Sequence, residues 1–194
     1  MAVATDCQET WNARDHMPRE RTYLRYQVYR SEARKRAAVT FAKLQSELEG
    51  RGIVDLDFSR VRFEAIDSSA MSAYEQWLDS HFCWIEIVRW KAKEPMSFDL
   101  AIWFDRELCG LCFANPNQSR LRVKIVRLEG QPNDHPLKSR IATLALTAVT
   151  HFALIIGSQH IEIQEPLSGA IPLYRQLGFE FDSEGRLVKR IDKV

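Results

Sequence analysis

His160-Ile161-Glu162-Ile163-Gln164, followed past Glu165-Pro166-Leu167 by Ser168-Gly169-Ala170-Ile171-Pro172-Leu173-Tyr174-Arg175-Gln176-Leu177-Gly178-Phe179, decides how this chain folds. The first five residues read as a short buried strand. Ser168 to Leu177 reads as a helix, with Ser168 able to cap its start and Gly178 closing it. Phe179 to Ile191 then reads as a hairpin turning at Glu184-Gly185. Strand, helix and returning strand in this order predict a mixed α/β sheet.

Moving towards the N-terminus, Leu137 to Ile156 is an apolar helix ended by Gly157, and Glu129 to Pro136 is the loop before it. Arg120 to Leu128 is a long strand in which Leu121, Val123, Ile125 and Val126 stand among basic residues. Ser97 to Phe104 and Glu107 to Ala114 are two strands across the Asp105-Arg106 turn. Ile85, Val88 and Trp90 predict a short helix stopped by Pro95. Ser69 to Phe82 predicts another, capped by Asp67 or Ser68, with Ala73, Trp77 and Leu78 on one side. Val61 to Ile66 alternates as a strand.

Between Arg19 and Gly50 there is no glycine or proline before the closing Gly50. Leu24, Val28, Phe41, Leu44 and Leu48 give a partly helical apolar spacing, with Pro18 in the first turn and Gly50 and Gly52 ending it. The chain therefore divides into a loose tail (1–16), an N-terminal helical extension (17–52) and one domain (60–194). The elements of that domain run β-α-α-β-β-β-α-β-α-β-β.

Composition narrows the class. With 45% hydrophobic and 27% charged residues, the chain is an ordinary globular sequence, and its net charge of +1 argues against a nucleic-acid role for the whole. Nothing in the first fifteen residues reads as a secretory signal, and the apolar stretch Ile141–Gly157 carries Thr143, Thr147, Thr150 and His151. No membrane association is expected, and the expected location is the cytoplasm. Cys109 and Cys112 form a CxxC, but no second pair completes a zinc set, so no metal is expected. On a regular strand the two thiols would face opposite ways and stay buried and reduced.

The segment Ala170-Ile171-x-Leu173-Tyr174-x-x-Leu177-Gly178-Phe179 after a short strand resembles the acyl-CoA-dependent N-acetyltransferases of the GNAT superfamily, and the order of elements over roughly residues 60 to 191 is similar to theirs. The resemblance implies a GNAT-like α/β fold with an extra N-terminal helix and acetyl-CoA, or another acyl-CoA, as co-substrate. It also implies acetyl transfer to an amine of a small molecule or a protein by direct attack. In that family two central parallel strands splay apart and offer unpaired backbone groups to the pantetheine arm. Here they would be Arg120–Leu128 and His160–Gln164, with Leu128 and Gly130 on the first. The next helix presents its N-terminal N–H groups to the pyrophosphate.

Two departures from the family pattern stand out. The family's R/Q-x-x-G-x-G/A loop corresponds here to His135-Pro136-Leu137-Lys138-Ser139-Arg140-Ile141-Ala142. One register puts His135 in the basic slot with Lys138 and Arg140 at the glycines. A shift of two puts Leu137 in the basic slot with Arg140 and Ala142 at the glycines. Lys138 and Arg140 would either obstruct the cofactor or bind its phosphates by charge-assisted hydrogen bonds, and the cationic character favours binding. Leu167 stands where many members carry Asn, and Ser168 is the replacement cap.

By the same resemblance Tyr174 is the acid that protonates the leaving thiolate, against a structural reading as an aromatic in the helix–sheet seam. Glu129, and less directly Glu165, are the carboxylates placed to act as base; each also reads as a solvated strand end. His151, inside an apolar helix, reads as a core histidine. The alternative to an enzyme is a GNAT-fold module without turnover that binds acyl-CoA or a macromolecule, and a fatty-acyl donor is a third reading.

Eight basic residues from Arg19 to Lys43, interleaved with Tyr23, Tyr26 and Tyr29, would suit nucleic-acid phosphates. A solvated helix face, docked on the domain or on a second copy in a homodimer, is the favoured reading.

Overall fold

A computed structural model describes residues 17–53 and 56–192, so the tail expected over 1–16 lies outside the described residues. Seven strands make one sheet: β1 (Val61–Glu64), β2 (Phe98–Phe104), β3 (Glu107–Pro116), β4 (Arg122–Gly130), β5 (His160–Ile163), β6 (Glu180–Phe181) and β7 (Leu187–Arg190). Their order is β1-β2-β3-β4-β5-β7-β6. β4 and β5 run parallel and the other neighbours antiparallel. Parallel neighbours need a crossover, and α4 (Ile141–Ile156) supplies it. This is the mixed α/β sheet expected from the sequence.

One face carries α1 (Met17–Gly50), α4 and the short α5 (Ile171–Gln176) over a continuous apolar core. The other carries α2 (Ser68–Tyr74) and α3 (Trp84–Lys93) over a smaller cluster containing Trp77, Trp84 and Trp103. No helix among the described residues is long and apolar enough to cross a membrane.

The helix expected as an extension shares that larger core. Its inner face is Tyr26, Arg30, Ala33, Ala37 and Phe41, spaced by three and four, with Tyr26 against Phe152 and Phe41 against Phe63. Leu24 and Val28, read as part of the apolar stripe, are 59% and 65% exposed. The alanines explain the difference: short side chains let α1 lie close on α4, so packing chose them over the larger residues.

Arg30 is buried for another reason. β1 stops pairing at Glu64 opposite Ala101, which leaves carbonyls at the start of β2 and just before it without a strand partner. Arg30 donates from Nε to Ser97 O (2.5 Å) and from Nη2 to Pro95 O (2.6 Å), and Arg34 donates to Asp99 O. Two guanidiniums thus take the place of the missing strand.

Three local expectations change. α2 ends at Tyr74 rather than near Phe82: Leu78 is exposed and Asp79 takes a φ of 58°, off the helical path. α4 begins at Ile141 rather than Leu137, because Ser139 takes a φ of 68° and breaks the chain just before it. The two cysteines share a face. Ile102 pairs with Gly110 and Trp103 with Leu108, so Cys109 is an extra residue in β3 that reverses the parity, and both thiols enter the α1–α4 core. Burial pushes the Cys109 thiol up to about 12 and the Cys112 thiol up as well.

Candidate active site

β4 and β5 pair only from Arg122 with His160 to Ile125 with Ile163, and Gln164 N–H to Ile125 O (3.0 Å) is their last link. The next residue, Val126, is a bulge: on the β3 side Ala114 pairs with Ile125 and Phe113 with Arg127. Beyond it, Arg127 to Gly130 pair with β3 alone, so the two parallel strands part. Gln131 N–H donates to Cys109 O across to β3, and backbone groups alternate sides along a strand. The N–H and C=O of Leu128 and Gly130 therefore point into the opening.

The start of α4 sits at the same place. A Cβ on Gly110 would come within 2.7 Å of Ile141 Cγ2, and one on Gly130 within 3.3 Å of Ile141 Cγ1. Two bare glycines on adjacent strands thus let the first helical residue rest on the sheet. The first bond of the helix runs from Leu144 N–H to Arg140 O, so the amides of Ile141, Ala142 and Thr143 point out of its end. Ser139 in the left-handed region beside Arg140 at φ −107° makes a concave pair of the kind that holds anions.

The residues of the predicted phosphate loop separate. Ser139, Arg140, Ile141 and Ala142 stand at the mouth of the helix, and Lys138 is exposed beside them, 3.4 Å from Asp134. His135 turns inward. Its Nδ1 accepts from Leu137 N–H (3.2 Å), and burial, then Lys138, pull its pKa below the ordinary value. The basic slot assigned to it is a correction: an uncharged, buried ring fixes the loop instead. Leu167 opens a short 3-10 turn, Ser168–Ala170, without a side-chain cap from either residue.

Tyr174 lies in α5, buried and edge-on to Phe179 at 5.8 Å between centroids. Burial first, and then Cys112, push its phenol up to about 12, so the proton stays on at neutral pH. Glu129 is half-buried and not free. Its carboxylate accepts from His81 N–H (2.5 Å), Phe82 N–H (3.4 Å) and Trp84 Nε1–H (2.7 Å). It ties β4 to the loop between α2 and α3, which does not fit the role of a base read from the sequence. Glu165 is exposed, 3.7 Å from Arg127.

On the α2–α3 face, at the point where β4 and β5 part, lies an open cleft of about 740 Å³. Met96, Asn115, Pro116, Lys124, Val126 and Gln164 are among its walls. Two carboxylates that the sequence reading passed over stand nearby. Asp99, 1% exposed, takes Arg34 (3.2 Å), Lys91 (2.7 Å) and Ile66 N–H (2.8 Å). Glu162 is buried on β5, 3.5 Å from Arg122. Each is a lone acid inside an apolar strand, a signal legible in Phe98-Asp99-Leu100 and Ile161-Glu162-Ile163.

No protein-family model matches the sequence, and no curated protein matches it. Solved structures do. Ard1 from Thermoplasma volcanium superposes with a TM-score of 0.52 at 12% identity, over 69% of this chain and 99% of that one. The yncA protein from Salmonella typhimurium, solved with its cofactor acetyl-CoA, gives 0.51 at 12% identity, over 70% and 96%. A GNAT-family protein from Desulfovibrio desulfuricans gives 0.51 at 13% identity, over 68% and 98%. The chain has the GNAT fold. Across roughly the last two-thirds of the sequence, the resemblance carried by Ala170–Phe179 and the architecture of the chain agree.

Proposed function

We propose that this chain transfers an acetyl group from acetyl-CoA to an amine by direct attack. The observation that carries the reading is the opening of β4 from β5 at Val126, with the free backbone of Leu128 and Gly130 on one side and the amide end of α4 above it. The strand edge would take the pantetheine arm as an added strand does, and the helix end with Ser139, Arg140, Ile141 and Ala142 would take the pyrophosphate. Lys138 adds a cation beside it. The fold match to yncA, solved with acetyl-CoA, supports the choice of co-substrate.

In this reading the acceptor enters from the opposite face through the cleft at Val126 and Gln164. Its amine attacks the thioester carbonyl, the C–N bond forms and the C–S bond breaks. The thiolate takes the proton of Tyr174, whose high pKa keeps that proton available at neutral pH. The proton that the attacking nitrogen loses passes through water in the open cleft to restore the phenol.

Two measurements test it. Acetyl-CoA at about 1 mM is expected to raise the melting temperature by mass action, and no shift in a folded sample overturns the reading. Tyr174→Phe keeps the ring against Phe179. It is expected to lower kcat by about 10²–10⁴-fold with acetyl-CoA affinity unchanged, whereas turnover at the parent rate removes Tyr174 as the acid.

A further inference from the structure

The middle of α4 reaches the surface along Thr143, Thr147, Thr150 and His151, and from Ile141 to Ile156 the helix carries no Asp, Glu, Lys or Arg. A surface helix ordinarily turns charged side chains to water. Here the charges stand on either side of it instead. On the solvent side of the helices, a depression of about 290 Å³ runs between α4 and α1, with Lys35, Arg36, Val39, Lys43 and His151 among its walls. A second, of about 210 Å³, runs between α4 and β7 and reaches Leu146, Thr150 and Lys189. His151 borders both, so they form one groove with α4 as its floor.

The rims of that groove are cationic. Lys35 and Lys43 are exposed and, among the described residues, form no ion pair. Arg36 is held by Glu32 (2.7 Å), the single acid of the groove, and Lys189 donates to Leu177 O (2.8 Å). Lys35, Val39 and Lys43 follow at intervals of four on α1. Two lysines about 12 Å apart along the helix axis thus flank an apolar side chain that is 48% exposed.

Such a surface fits a ligand that is anionic at its edges and apolar between them. An α-helix with carboxylates at four-residue intervals repeats the spacing, and aliphatic side chains beside them would cover Val39. Single-stranded nucleic acid also brings charge, but its bases stack on aromatic platforms, and no Phe, Tyr or Trp lines either depression.

We propose that this groove docks an acidic amphipathic helix of a partner protein, with carboxylates on Lys35 and Lys43 along one rim and on Lys189 along the other. The surface is separate from the acyl-transfer reading, whose acceptor cleft lies on the α2–α3 face of the sheet.

The probe is a fluorescent peptide of repeated Glu-Leu-Ala-Ala units, with a Gln-Leu-Ala-Ala peptide as neutral control, titrated into the full chain and read by anisotropy. At low salt the acidic peptide is expected to bind about tenfold or more tightly than the control. That advantage shrinks as salt is raised. Lys35→Gln with Lys43→Gln removes most of it, and because neither lysine holds an ion pair the fold is kept. Arg21→Gln with Arg25→Gln, exposed on the same helix outside the groove, leaves it in place. Bound carboxylates also raise the pKa of His151, read from its ring-proton shifts, against the burial and the Arg36 charge that lower it in the free chain. No advantage for the acidic peptide, an advantage that survives loss of both lysines, or a His151 pKa that does not move overturns the groove. An equal loss in the Arg21 and Arg25 variant also overturns it and makes the attraction a property of the whole helix. Tighter binding of a dT oligonucleotide, lost in the same lysine variant, overturns the partner and assigns the groove to nucleic acid.

Discussion

The two faces of the sheet are held by different chemistry. Under α1 and α4 the contacts are continuous and apolar: Phe98 stacks on Phe152, Tyr26 meets Phe152, and alanines on both helices bring their backbones close. Under α2 and α3 the apolar cluster is smaller, and two carboxylates fasten it. Asp99 grips α1, α3 and the turn before α2, while Glu129 grips the loop between α2 and α3. The apolar face fixes one rigid thing, the start of α4 over the end of β4. The pinned face covers only part of the sheet and leaves β4 and β5 open where they part. A face held at two points can carry a cleft beside them, which a face sealed by close-packed helices cannot.

If ionic pins hold the second face, removing the larger one has the largest effect. Asp99→Ala leaves Arg34, Lys91 and Ile66 N–H without their acceptor and is expected to cost about 3–5 kcal/mol in denaturant unfolding. A loss near that of an ordinary surface change would assign the stability of this face to its tryptophans instead. On the apolar face, Gly110→Ala is the sharper probe. Its Cβ would meet Ile141 at 2.7 Å, so α4 must lift or the strand must shift, at about 1–3 kcal/mol. Because it lifts the helix end proposed for the phosphates, it is also expected to weaken acetyl-CoA binding. Loss of stability with unchanged affinity would detach that helix end from the cofactor.

How much of this was legible follows the same division. The hairpin from Ser97 to Ala114, the strand from Arg120 and the segment Ala170–Phe179 read correctly because their patterns are local. The inner face of α1 did not, because packing selected Ala33 and Ala37, which carry little hydropathy signal, and Arg30, whose partners lie 65 and 67 residues away. The parity of Cys109 and Cys112 depended on a bulge that composition does not mark. Of the site, the end of the strand near Gly130, the start of the helix near Ile141 and the helix carrying Tyr174 were legible as elements, while the roles proposed for them rest on the resemblance. Glu129 was misjudged because its partners, His81 to Trp84, come from another part of the chain.

Glu129 gives the next probe. Glu129→Gln keeps its shape, but an amide nitrogen cannot accept from an N–H donor. The expected loss is about 1–2 kcal/mol. It should be local, with faster amide exchange at His81 to Trp84 and unchanged exchange in α4. Faster exchange in both would mean that the two faces are one cooperative unit.

The smallest effect concerns two histidines, His135 before α4 and His151 within it. His135 supports the loop before the helix. His151 joins the helix to α1, and because the Thr40 hydroxyl donates to Arg36 O (2.9 Å), it accepts from His151 Nε2–H (2.9 Å). Burial first lowers both pKa values below the ordinary 6.5, aided by Lys138 at His135 and Arg36 at His151, with Asp134 opposing at His135. The unfolded chain takes up these protons near pH 6.5, while the folded chain resists them to lower pH. Between the two, the unfolded state holds more protons, so stability falls as pH drops from about 7 through the folded values. Carboxylates held low, such as Asp67, Asp105 and Asp182, do not titrate in that window. The melting temperature is therefore expected to decline from about pH 7.5 to about pH 5.5. His151→Gln keeps a donor for Thr40 and cannot be protonated, so it should flatten part of the decline without lowering the plateau. Parallel curves for parent and variant would show that the α1–α4 seam admits a charged ring at no cost, and that the apolar face is less closed than its packing implies.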